Sequence, residues 1–109
     1  MESIDFEVVT EETSTGLRVV VRGDLDLATV DALRSTLEDA HAASKDVAVD
    51  LHACTFLDSS ALKAIADAGR RAGEAGVGFV VMKPSPQAAR VLEISGLNEI
   101  VTIATDDYP

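Results

Sequence analysis

The sequence has no tryptophan, one tyrosine, three phenylalanines and a single cysteine among its 109 residues. A core built from such a chain must be aliphatic, and the 47% hydrophobic content, mostly Val, Leu, Ile and Ala, is ample for one domain. The lone Cys54 excludes an internal disulfide and suits a reducing compartment. Basic residues are scarce: nine Lys and Arg stand against 19 Asp and Glu, a formal net charge of -10. That balance repels nucleic-acid phosphates and anionic lipid, and suits a partner with a basic surface. No run approaches the roughly 20 apolar residues of a membrane span. The start, Met1-Glu2-Ser3-Ile4-Asp5, lacks the basic and apolar regions of a signal peptide. The expectation is a cytoplasmic protein, neither secreted nor inserted in a membrane.

Catalytic constellations are equally thin. A metal centre needs three or four converging ligands, and His52 and Cys54 have no third soft ligand beside them. Cys54 reads as a small apolar residue at a strand end, and His41 as a helix C-terminal residue that complements the dipole. A serine hydrolase assembled from Ser59, His52 and an aspartate would need a Gly-x-Ser-x-Gly elbow, which is absent. Gly73, Gly76 and Gly78 end a helix, whereas a phosphate-cradling loop must lead from a strand into one. No enzyme activity, metal or cofactor is expected.

Hydrophobic periodicity divides the chain into alternating elements. Phe6–Val9 and Leu17–Arg22 read as a hairpin across the polar turn Thr10–Gly16, and Gly23-Asp24-Leu25-Asp26 breaks the second strand. Asp26 is placed to cap the next helix, from Leu27 to about Ala43, with Val30, Leu33, Leu37 and Ala40 on its apolar face. Val47–Leu51 is apolar at nearly every position, which suits a central strand. A second helix starting near Ser60 buries Leu62, Ile65, Ala66, Gly69 and Ala72, with Lys63, Asp67, Arg70, Arg71 and Glu74 opposite. Strand Val77–Met82 follows, then a helix from Pro86 to Ser95 with Ala88, Val91, Leu92 and Ser95 inward, stopped by Gly96. Ile100–Ile103 is a last strand, and residues 105–109 form an acidic tail. Strands alternating with helices predict a single α/β domain, a largely parallel sheet beyond the hairpin, and helices mainly on one face.

The stretch Phe56-Leu57-Asp58-Ser59-Ser60-Ala61-Leu62 falls where a strand hands over to a helix. Backbone N–H groups of a first helical turn lack intrahelical partners and carry partial positive charge. Asp58 or Ser59 can cap such a turn, and an added phosphate is well placed there too. Asp58-Ser59-Ser60-Ala61-Leu62 resembles the Asp-Ser-[Ser/Thr]-Gly-Leu signature of STAS domains, the family of bacterial anti-sigma-factor antagonists. Three further pieces resemble it in order: Val19 to Asp26, Val47 to Leu51, and Leu92 to Leu97. The similarity spans about residues 6–104. Ala61 stands where the family usually has Gly, adding a methyl beside the serines.

The resemblance implies a STAS-like fold: a four- or five-stranded mixed sheet with several helices. It implies Ser59 as the phosphate acceptor, with Ser60 as its rival. It also implies a partner-binding surface of Asp24, Asp26, Asp58, Ser59, Ser60, Ala61 and Leu62. The partner would be an anti-sigma factor that doubles as a serine kinase, so that binding releases a sigma factor, as in sporulation or stress responses. Phosphorylation would switch binding off, and a serine phosphatase would restore it. Two readings from other classes stay open. One is a scaffold subunit of a stress-signalling assembly or a regulatory subunit of a membrane transporter. The other is a small-ligand or nucleotide-binding domain whose motif serves only as a cap.

Overall fold

The structure, a computed structural model, describes residues 6–105. Five strands form one sheet: β1 (Phe6–Glu12), β2 (Gly16–Leu25), β3 (Asp46–Leu57), β4 (Phe79–Met82) and β5 (Thr102–Ala104). They lie side by side in sequence order. The β1–β2 pair is antiparallel and the other three pairs are parallel. Each parallel step is crossed by a helix: α1 (Val30–Ala42), α2 (Ser59–Ala75) and α3 (Pro86–Ser95). Crossovers of one hand that all advance in one direction must place their helices on the same face of the sheet. One apolar core accordingly joins Val19, Val21, Val49, Leu51 and Val81 of the strands to Leu33 and Leu37 of α1, Ile65 of α2 and Leu92 of α3. The expected α/β sheet with helices mainly on one face is therefore the architecture found.

Several boundaries differ from the sequence reading, and the largest difference builds the site. β3 runs on to Leu57, well beyond Leu51, and β2 continues through Gly23 and Asp24 to Leu25. The pairing steps from Val20–Asp50 to Arg22–Ala53, and from Gly23–Cys54 to Asp24–Phe56. Each step gives β3 one residue more than its partner, which is a β-bulge. The buried positions Leu51, Cys54 and Leu57 thus recur every third residue, so the alternation that marks a strand disappears although the strand does not. Gly23 carries the accommodating conformation, with φ of 95°.

Other shifts are local. β1 extends to Glu12, α1 begins at Val30, β4 begins at Phe79, and a 3-10 turn over Leu97–Glu99 delays β5 to Thr102. Ser95, expected inward, is exposed and donates its hydroxyl back to the Leu92 carbonyl at 3.0 Å. On α2 the buried residues are Ala61, Ala64, Ile65 and Ala72, with Leu62, Ala66 and Gly69 half-buried beside them. Gly69 lets this helix lie close to the sheet, because a Cβ there would come within 2.5 Å of Val101 Cγ1. The expected tail lies outside the described residues from 106 onward.

Candidate functional site at the sheet end

Where β3 ends, the backbone N–H of Asp58 donates to the carbonyl of Leu25 at 3.2 Å, holding the exits of the two long strands together. Asp58 is extended and is the N-cap of α2. Its Oδ1 accepts from the N–H of Ser60 (2.9 Å), the N–H of Ala61 (3.1 Å) and the hydroxyl of Ser60 (2.5 Å). Its Oδ2 accepts from the N–H of Leu27 at 3.0 Å. One carboxylate therefore satisfies the first turn of α2 and ties it to the loop between β2 and α1. The hydrogen bond from the Ser60 hydroxyl, helped by those of the three N–H groups against a smaller cost of desolvation, holds the Asp58 carboxyl below its usual range.

This capping separates the two serines. The hydroxyl of Ser60 is committed to Asp58 and the residue is half-buried. Ser59 occupies the first position of the helix, is exposed, and its hydroxyl makes no hydrogen bond to any described residue. Asp24 lies at the end of β2 and Asp26 on the loop that follows it. Asp24 is exposed, its Oδ1 accepts from the Thr55 hydroxyl at 2.6 Å, and its carbonyl accepts from the Thr29 hydroxyl at 2.8 Å. Asp26 does not cap α1 as its sequence position suggests. Thr29 is the N-cap residue, without a side-chain capping bond, and the Asp26 carboxylate instead accepts from the N–H of Ala28 (3.0 Å) and the hydroxyl of Thr29 (3.2 Å). That turn removes Leu27 to Thr29 from the helix and leaves Leu27 78% exposed.

Asp24, Asp26, Asp58, Ser59 and Ser60 thus converge on one end of the sheet. Leu62 is half-buried and packs against the core. Ala61 is wholly buried, so it offers a partner no surface, and its methyl is part of the core. Two residues here escaped the sequence reading as surface features: Leu27, taken for a helical residue, and Phe56, which is 49% exposed.

The histidine and cysteine candidates do not converge. Cys54 is buried in the core within β3, and burial raises its thiol pKa. His52 contacts Asp50 through Nδ1 at 2.7 Å on the other face of the sheet. Ser59 makes no hydrogen bond to His52, so the hydrolase arrangement is not assembled. Among the described residues no group of three His, Cys, Asp or Glu side chains is placed to hold a metal ion. No helix of the described residues is long and apolar enough to cross a membrane.

Comparison with known proteins adds a family. A family model described as Mlab, STAS domain matches residues 8–102. No curated protein matches in sequence. The crystal structure of an anti-sigma factor antagonist from Mycobacterium paratuberculosis is 26% identical, with a TM-score of 0.85, covering 95% of this chain and 90% of that one. The Bacillus cell fate determinant SpoIIAA in its phosphorylated form is 23% identical, with a TM-score of 0.67, over 91% of this chain and 92% of its own. The murine Solute Carrier 26 family member A9 anion transporter contains a similar fold at 15% identity and a TM-score of 0.73, matched over 90% of this chain and 17% of the transporter. With the family model spanning the chain from β1 to β5, this protein belongs to the STAS domain family.

Proposed function

We propose that this domain is an anti-sigma factor antagonist that binds an anti-sigma factor with serine kinase activity, and that phosphorylation of Ser59 switches it off. The observation that carries the reading is the division of labour at the start of α2. Asp58 performs the capping, which leaves the Ser59 hydroxyl exposed and uncommitted. A kinase can reach Ser59 without dismantling the helix start, whereas Ser60 would first have to give up Asp58. The 26%-identical antagonist from Mycobacterium paratuberculosis supports the same role.

A phosphate on Ser59 brings about −1.5 to −2 units of charge next to the Asp58 carboxylate, with Asp24 at the end of β2 and Asp26 on the loop after it. The positive end of α2 tolerates it, so the domain stays folded. At an interface, however, the unpaired charge and its hydration must be stripped or left intact, and either weakens binding. A loss of about 1.4 kcal/mol is tenfold in affinity, so one modification suffices for a switch, and a serine phosphatase would reverse it.

The test pairs phosphosite mapping of the native protein with binding to purified anti-sigma factors. Ser59→Asp is expected to fold normally and bind at least tenfold more weakly, while Ser59→Ala binds like wild type. Equal binding by Ser59→Asp, with no phosphate on the native chain, would sink the switch. A murine anion transporter containing this fold supports a second reading, a regulatory subunit of a transporter. Copurification with a membrane ATPase in place of a soluble kinase would favour the transporter.

A further inference from the structure

We propose that Leu27 and Phe56 are the apolar anchors of the docking surface around Ser59, and that the occupant is a protein face with an apolar recess bordered by Lys or Arg side chains. This rests on the antagonist reading and names the contact through which it works.

Leu27 and Phe56 are large apolar side chains left 78% and 49% exposed, the first on the residue bonded to the capping Asp58 and the second on the residue paired with Asp24. Among the described residues, the remaining large exposed apolar side chains are elsewhere: Val9 on β1, Ile94 on α3 and Ile100 after the 3-10 turn. Neither anchor sits on a loose segment. The N–H of Leu27 is held by Asp58 Oδ2 at 3.0 Å, and Phe56 pairs with Asp24 in the bulged end of the sheet. Anchors held in place before contact lower the ordering cost of binding. Apolar side chains centred in a polar surround are also the pattern of interface hot spots.

Charge identifies the occupant. The stretches Gly23 to Thr29 and Ala53 to Leu62, which build this end of the sheet, contain no Lys or Arg, and Arg22 and Lys63 border them. Both contain carboxylates, with Asp24 exposed at the surface. In a chain of net charge -10 such a rim draws a cationic partner and speeds encounter. A phosphate on Ser59 acts against the apolar part of this contact. It brings a hydrated dianion next to the apolar anchors, where it cannot be desolvated, and so it acts on dissociation.

The experiment is surface plasmon resonance with the anti-sigma factor kinases of the source organism, purified one by one, against wild type, Leu27→Ser, Phe56→Ser, Asp24→Asn and Ile94→Ser, each checked by circular dichroism. The expected result is at least a tenfold rise in Kd for Leu27→Ser and Phe56→Ser, through faster dissociation, and no change for Ile94→Ser. Asp24→Asn slows association, and added salt slows it for wild type. If a kinase binds wild type and loses affinity for Ser59→Asp, yet binds Leu27→Ser and Phe56→Ser as well as wild type, the anchors are wrong and the antagonist reading stands. If no anti-sigma factor binds wild type, that reading fails and the anchors fall with it.

Discussion

Two aspartates on one stretch of chain, Asp50 in the middle of β3 and Asp58 just past its end, solve the same problem in opposite ways. Asp50 is wholly buried on the sheet face opposite the helical core. It accepts from Arg18 Nε (3.2 Å) and Nη2 (2.5 Å), from the N–H of His52 (2.9 Å), and contacts the His52 ring at 2.7 Å. Asp58 is satisfied by backbone N–H groups and one hydroxyl at a helix start. The side chains of Arg18 and His52 and the backbone N–H of His52 hold the first carboxylate, so its role is to fix the sheet. Backbone donors and the Ser60 hydroxyl hold the second, which frees the neighbouring Ser59 hydroxyl for modification. A charged residue is informative about function only once its partners are known.

The largest effect should come from breaking the buried member of the pair. Asp50→Asn keeps the volume but removes the charge that faces Arg18, and is expected to destabilise the domain by about 2–3 kcal/mol. Urea denaturation checks this, and partner affinity of the folded variant should be unchanged. An Asp50→Asn protein as stable as wild type would show that the buried ion pair contributes nothing net.

Acid sharpens the same contrast. Burial pushes the Asp50 carboxyl up, but the bonds from His52 and Arg18 outweigh it and leave the pKa below its ordinary value. A lowered folded value means stability that is present above the unfolded pKa of about 3.9 and lost as the pH falls through the folded one. The stability difference between wild type and Asp50→Asn should therefore be full near neutral pH and shrink below about pH 4. Denaturation series at stepped pH would reveal a constant difference if this linkage were absent.

Much of this architecture could be read from apolar periodicity. Leu33 and Leu37 of α1 or Ile65 of α2 recur at helical spacing, and Pro86 and Gly96 bracket α3. The extension of β3 could not be read that way, because Leu51, Cys54 and Leu57 follow a three-residue spacing that two bulges impose. Register is a property of a pair of strands, and one strand's sequence does not contain it. The same limit hid Leu27. Its apolar side chain suits a helix, and only the turn around Asp26 places it outside. The signal for Asp50 was present, a carboxylate inside an apolar strand, but its partner Arg18 lies on another strand.

Ala61 offers a smaller perturbation. It stands at the signature position where the family usually carries glycine, and its side chain is buried in the core. Ala61→Gly removes a buried methyl and loosens the helix backbone, for a cost of about 1 kcal/mol. The urea midpoint should fall accordingly while Ser59 remains exposed and partner binding stays the same. A stabilised Ala61→Gly would mean that the methyl strains this turn.

The least change in stability, and the sharpest test of the comparison, comes from Asp58→Asn. Asparagine caps helices about as well as aspartate, so its single carbonyl oxygen can still receive the N–H groups of Ser60 and Ala61. The amide nitrogen then faces the N–H of Leu27, donor against donor, and the link between α2 and the β2–α1 loop is lost. Melting temperature should barely move, while hydrogen exchange at the Leu27 amide accelerates and the first turn of α2 stays protected. If both regions lose protection together, Asp58 is an indivisible cap. If only Leu27 does, its two oxygens act separately, one shaping the helix and the other positioning the surface beside Ser59.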